Sequence, residues 1–146
     1  MCMIRFLFLP LLLVSSMAAA RPDNIYDPSR DAFSDYQNAR ISASSKHQNI
    51  FVIAGGNWCS YCYKFERNLK ESALDLVIEN NFILMKANFG DGNDNERFFS
   101  LFPEITIYPH IMIISPEGKL LESTVPSTES EFRGLLSKYA VTATSA

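Results

Sequence analysis

Two thiols with two residues between them, Cys59 and Cys62, stand in the run Gly55-Gly56-Asn57-Trp58-Cys59-Ser60-Tyr61-Cys62. At that spacing the sulfurs can close a disulfide with each other. A helical pattern follows from Tyr63, which sets the first thiol at a helix start, where unpaired backbone N–H groups and the helix dipole favour a thiolate. A couple that can be bonded or open, with one sulfur poised as an anion, is a reversible redox centre. The third cysteine, Cys2, lies inside an N-terminal leader pattern and far from its cleavage junction, so it does not mark a lipid-attachment site.

That leader is read from residues 1–20: Arg5 as the positive segment, Phe6 to Val14 as the apolar segment, and Ala18-Ala19-Ala20 as a small-residue cleavage site. The apolar run is shorter than the roughly 20 residues that span a bilayer, so a secreted product without stable membrane insertion is expected, with an uncleaved signal anchor as the alternative. The mature chain then keeps only Cys59 and Cys62. A single pair closing a very small loop constrains little of the unfolded chain, and a disulfide-stapled scaffold needs several pairs. Reactivity is the better reason for this pair. Loss of Arg5 leaves 12 basic residues against 16 acidic ones, a formal charge of −4. A mildly acidic chain without a basic run does not suit nucleic acid or an anionic membrane surface.

The elements that must position the thiols read as follows. Residues 21–29 form an irregular lead-in with two prolines. Phe33, Tyr36, Ala39 and Ala43 recur at helical spacing from Arg30 to about Ser45. Ile50 to Ala54 is a short unbroken apolar run, the pattern of a strand covered on both faces. The cysteine helix carries Phe65 and Leu69 inward and ends near Lys70-Glu71. Ser72 with Asp75 resembles a cap for a further helical stretch with Leu74, Leu76, Val77 and Ile78 inside. Phe82 to Asn88 is the next strand, and Gly90 to Asn95 a polar loop whose calcium-like spacing lacks the terminal Glu. A short helix from Asn95 to Phe102, with Phe98, Phe99 and Phe102 as core rings, stops at Pro103. His110 to Ile114 and Lys119 to Val125 form a hairpin about Ser115-Pro116-Glu117-Gly118. Thr128 and Glu131 make a capping box before a helix with Phe132, Leu135, Leu136 and Tyr139 on one side. Residues 140–146 read as a frayed tail. The order is that of a single α/β domain with a mixed sheet.

These residues resemble the thioredoxin superfamily from about Arg30 to Tyr139: a buried strand running into Trp58-Cys59-Ser60-Tyr61-Cys62, the proline-led strand Tyr108-Pro109-His110-Ile111-Met112-Ile113, then a Pro-Glu-Gly hairpin and a last helix. Trp-Cys-x-x-Cys-x-x-Phe-Glu is also similar to the periplasmic thioredoxin-like domain of the bacterial transmembrane electron transporter, and to small secreted proteins of that build. The resemblance implies a mixed sheet of four or five strands with helices on both faces. It implies a cis Pro109 beside the disulfide, and a Tyr108 backbone free to pair with an extended substrate. Residues 30–139 would be the thioredoxin-like domain.

The resemblance also implies roles. Cys59 would be the exposed attacking thiol and Cys62 the more buried resolving thiol that collapses the mixed disulfide. Trp58 would wall the site, or else serve as a core aromatic at a strand end. Ser60-Tyr61 matches neither the Gly-Pro of reducing thioredoxins nor the Pro-His of the periplasmic oxidant, which leaves the direction of electron flow open. Thioredoxins commonly bury an Asp six residues before the first cysteine; here that residue is Ile53. Glu66, one turn after Cys62, would relay the proton of the resolving thiol, as a glutamate at the matching place in the transporter domain suggests; the alternative is a solvated carboxylate paired with Lys70.

The expected function is thiol–disulfide exchange on cysteines of exported proteins, reductive or isomerising. It needs no cofactor, and its partner would be a membrane-embedded electron donor or acceptor. The alternative is an interaction module whose cysteines form a static disulfide or, with His110, hold a soft metal such as Cu(I) or zinc. A structural zinc site wants four ligands and there is no second cysteine pair, so no metal site is expected. The absence of an Asn-x-Ser/Thr acceptor and of a retention signal at Ala143-Thr144-Ser145-Ala146 favours the bacterial periplasm over another secretory route.

Overall fold

The computed structural model describes residues 24–125 and 127–141. The expected leader, the first residues of the lead-in and most of the expected tail lie outside the described residues. Helix α1 (Ala32–Lys46) is followed by strand β1 (Ile50–Gly55), helices α2 (Ser60–Glu71) and α3 (Leu74–Asn81), and strand β2 (Ile83–Asn88). Then come the single turn α4 (Glu96–Phe99), strands β3 (His110–Ile114) and β4 (Leu120–Thr124), and helix α5 (Glu129–Tyr139).

The sheet has four strands in the order β2-β1-β3-β4. β1 runs parallel to β2 and antiparallel to β3, and β3 and β4 form the antiparallel hairpin. A parallel neighbour requires a crossover, and α2 and α3 supply it. β1 is therefore central, and every one of its residues is buried, which is why its sequence is an apolar run without alternation. The hairpin closes through Gly118 N–H to Ser115 O at 2.9 Å and Ser115 N–H to Lys119 O at 2.8 Å, with Gly118 at φ +92°, a conformation that costs glycine little.

Alternation along the strands divides the core into two clusters, one on each face. Phe51 and Ile53 of β1 and Ile111 and Ile113 of β3 pack with Cys59, Cys62, Leu69, Phe132 and Leu136. Ile50, Val52, Met112 and Ile114 pack with Tyr36, Ala39, Ala43 and Phe98. Helices thus cover both faces, and the rings of Phe98, Phe99 and Phe102 are core packing, each edge-on to a neighbour.

Local chemistry moves three boundaries from the sequence reading. α2 begins at Ser60 rather than Tyr63, because Cys59 is its N-cap with a sulfur that accepts from Cys62 N–H; periodicity of apolar residues does not register a cap. Ser72 closes α2 instead of opening α3: its hydroxyl donates to Asn68 O at 2.6 Å, and α3 starts after Ala73 in the left-handed region with no side-chain cap. Within α3 only Leu74 and Ile78 are buried, while Leu76 and Val77 face outward, as a single buried stripe on a two-turn helix dictates. Thr128 caps α5 as expected, its hydroxyl accepting from Glu131 N–H at 3.2 Å.

Candidate active site

The chain leaves the end of β1 through Gly55 and Gly56 and turns directly into α2. Two close contacts require the glycines. A Cβ on Gly55 would lie 2.6 Å from Cys62 Sγ and 2.7 Å from Tyr26 Oη, and one on Gly56 would strike the Trp58 indole and the Phe89 carbonyl. Cys59 and Cys62 are joined as a disulfide with Cα atoms 5.2 Å apart. Cys59 Sγ accepts from Cys62 N–H at 3.1 Å, so one of the unpaired donors at the start of α2 points at the sulfur expected to carry negative charge. The expected exposure of Cys59 is corrected. In the disulfide form it is 5 % exposed against 2 % for Cys62, because capping its own helix folds the sulfur back over the first turn. The difference between the two sulfurs is smaller than the assigned roles imply.

The aromatic wall stands beside them. Trp58 is 52 % exposed and hence not a core ring. Its indole N–H donates to Phe89 O at 2.7 Å, and its ring meets Tyr108 edge-on at 5.7 Å. Phe89 stacks on Tyr108 at 5.2 Å. Ala54 pairs with His110, so Pro109, one residue earlier, stands across from Gly55 where the cysteine turn begins. The Tyr108–Pro109 bond is cis, as the resemblance implies. Next to Tyr108 and Pro109 opens a groove of about 680 Å³ between α2 and α5, lined among others by Tyr61, Phe65, Ile107 and Val125.

Behind the disulfide lies a polar cluster that sequence reasoning described only in part. Glu66 pairs with Lys86 Nζ at 2.9 Å, its side chain 18 % exposed. It is neither solvated nor paired with Lys70. Lys86 lies beside Ile53 in the β1–β2 register, so the ion pair occupies the neighbourhood of the missing aspartate. Tyr26, 5 % exposed, comes from the segment read as an irregular lead-in. Asn57 fixes it: Oδ1 accepts from Ile25 N–H at 3.1 Å and Tyr26 N–H at 3.0 Å, and Nδ2 donates to Tyr26 O at 2.9 Å. Burial, and after it the Glu66 charge, push the Tyr26 phenol well above its usual ionisation range. Tyr26, Asn57, Lys86 and Phe89 were missed. Phe89 was findable, because ligand sites gather beyond the carboxyl ends of parallel strands; the partnership of Tyr26 and Asn57, thirty-one residues apart, leaves no local signal.

His110 is not near the sulfurs. Alternation sets it on the face of Met112 and Ile114, opposite Ile111 and Ile113, and its Nε2 lies 2.8 Å from Ser123 Oγ. Among the described residues no group of three or more His, Cys, Asp or Glu side chains could hold a metal ion. The loop after β2 is tied by amides instead: Asn88 Nδ2 donates to Gly90 O and Asn93 O, and Asn93 Nδ2 to Pro28 O.

Comparison with known proteins agrees with this geometry. A family described as thioredoxin-like matches residues 31–116, and the chain belongs to that family. No curated protein matches the sequence. Among solved structures, a disulphide isomerase from Xylella fastidiosa Temecula1 superposes with a TM-score of 0.67 at 18 % identity, over 78 % of this chain and 95 % of that one. DsbH oxidoreductase gives 0.57 at 17 % identity, over 72 % and 81 %. A thioredoxin-fold protein from Helicobacter pylori gives 0.53 at 21 % identity, over 64 % and 69 %. At these identities the likeness concerns the fold. A thioredoxin-like fold with a disulfide at Cys-x-x-Cys spacing supports redox activity in general.

Proposed function

We propose that this protein is a thiol–disulfide oxidoreductase for cysteines of exported proteins, working reductively or as an isomerase. The observation that carries the reading is the Cys59–Cys62 disulfide at the start of α2, set against Trp58, Tyr108 and Pro109. A substrate thiolate attacks Cys59 Sγ, the bond to Cys62 breaks, and Cys62 departs as a thiolate; in the reverse sense Cys62 attacks the mixed disulfide and expels the substrate. Trp58 flanks the entering chain, the Tyr108 backbone beside cis Pro109 pairs with it in extended form, and the groove beyond takes its apolar side chains. Glu66 relays the proton of Cys62, with Lys86 holding the carboxylate in place. The leader pattern of residues 1–20 supports work in the periplasm or another secreted compartment. There the thiols need a membrane-embedded partner to donate or accept electrons, since no reducing pool is present.

Insulin reduction with a Cys59→Ser control tests the activity, and loss of turnover in the variant is the expected result. Replacing Cys62 with Ala should stall adducts on Cys59 whose identity reports the substrates. Burial of both sulfurs favours a second reading, a static disulfide on an interaction module. A measured potential far below about −300 mV, inert to glutathione, together with no insulin turnover, would establish that reading in place of the first.

A further inference from the structure

An anion at the Cys62 position has a hydrogen-bonding problem. Cys62 is 2 % exposed, and a buried charge without donors is costly. In the exchange reaction proposed above, on which this inference rests, Cys62 must nevertheless hold an electron pair. When a thiolate attacks Cys59 Sγ, a new S–S bond forms there, the Cys59–Cys62 bond breaks, and its electrons stay on Cys62 Sγ with no proton transferred. The backbone N–H of Cys62 is directed to Cys59. Glu66, when ionised, only accepts hydrogen bonds, and it holds Lys86.

One side chain is placed to answer. A point at the Cβ position of Gly55 lies 2.6 Å from Cys62 Sγ and 2.7 Å from Tyr26 Oη, so the two atoms border the same small space, and both residues belong to the same buried cluster. The phenols of Tyr108 and Tyr139 donate to backbone carbonyls, whereas Tyr26 Oη has no such acceptor among the described residues. Three hydrogen bonds with Asn57, two residues before Cys59, hold the backbone of Ile25 and Tyr26 in position. We propose that Tyr26 donates its phenol hydrogen bond to Cys62 Sγ whenever that sulfur is released as a thiolate, and so sets the stability of the resolving anion. The direction of the Tyr26 shift fits this use: burial and the Glu66 charge keep the phenol protonated, hence a donor, across the range in which thiols titrate.

The test is a pH titration of reduced Cys62, followed by carbon NMR at its Cβ in the full chain. Tyr26→Phe keeps the ring and removes the donor. Loss of a hydrogen bond to a charged group should raise the midpoint by about one to two units, an approximately ten- to hundredfold loss of thiolate at a given pH. A fluorinated tyrosine at position 26 is a stronger donor of the same shape and should lower the midpoint; it also decides the matter if Tyr26→Phe does not fold. The other titratable groups around the site, Glu66 from α2, Lys86 from β2, Asp27 beside Tyr26, Cys59 and Tyr108, are common to all three proteins, so the difference between them isolates the hydroxyl. Packing alone would move neither midpoint. Midpoints unmoved in the folded variants overturn the assignment. The titration requires no turnover: a shift without insulin reduction by the wild type leaves Tyr26 in place and removes the oxidoreductase reading, and an active wild type with unmoved midpoints does the reverse.

Discussion

The two faces of the sheet are built from the same strands and put to different uses. On the α1 face, Ile50, Val52, Met112 and Ile114 meet Tyr36, Ala43 and Phe98 in continuous apolar packing. On the α2 face, Phe51, Ile53, Ile111 and Ile113 surround a disulfide and a buried phenol, with an ion pair at the margin. Strand alternation thus separates stability from chemistry at the distance of one peptide unit. The polar cluster can be adjusted without disturbing the packing on the other side of β1. Substitutions should therefore sort by face, and each of the following would break or sharpen that division.

The largest loss of stability belongs to the apolar face. Phe98 is fully buried and edge-on to Tyr36 and Phe102. Phe98→Ala should cost about 3–5 kcal/mol in equilibrium denaturation and leave the glutathione redox equilibrium of the Cys59–Cys62 couple unchanged. A shifted redox equilibrium would show that the faces communicate. Gly55→Ala should be milder in denaturation, about 1–3 kcal/mol for an overpacked site, yet it should displace the redox equilibrium, since the added methyl meets Cys62 Sγ and Tyr26 Oη. An unaltered equilibrium would mean that the gap relaxes freely.

Glu66→Gln tests the margin of the chemical face. Its partly exposed pair with Lys86 should contribute no more than about 1 kcal/mol. If Glu66 relays the proton of Cys62, release of a mixed disulfide should slow at least roughly a hundredfold, the low end for a positioned acid–base group, and the pH–rate profile should lose one limb. A profile of unchanged shape sinks the relay and leaves the pair a structural contact.

Legibility in the sequence follows the same division. β1, β3 and the burial of Phe98, Phe132 and Leu136 were readable because period and apolarity record packing against a face. Cys59 and Cys62 were readable because reactive side chains are few and their spacing is local. The cis bond before Pro109 came from resemblance rather than pattern; an ordinary trans proline leading a strand would read the same. What stayed hidden depends on contacts distant in sequence. Lys86 reaches Glu66 on α2 from strand β2, and Asn57 pins Tyr26 from across thirty-one residues. Cys59 reads as exposed because a helix start usually is, and only the cap geometry shows its sulfur folded inward. In physical terms, the hidden part is the part held by polar tertiary contacts.

His110 offers the smallest and most specific check, because it lies at the seam between β3 and β4 on the face away from the sulfurs. Burial holds its pKa below the ordinary 6.5. The unfolded chain therefore takes up a proton first as pH falls below about 6.5, so this contribution to stability is fully present above that value and is lost as pH descends toward the folded-state value. The carboxyls of Asp27 and Asp31, held low by hydrogen bonds from Ser29 and Ser34, add their own loss only at more acid pH. Between about pH 7 and pH 5, the denaturation midpoint of the wild type should fall, and His110→Gln should flatten that limb while retaining a bond to Ser123. Equal slopes would assign the acid sensitivity elsewhere. A parallel change in the glutathione equilibrium would mean that a group on the far face reaches the disulfide through β1, and that the separation of faces is not complete.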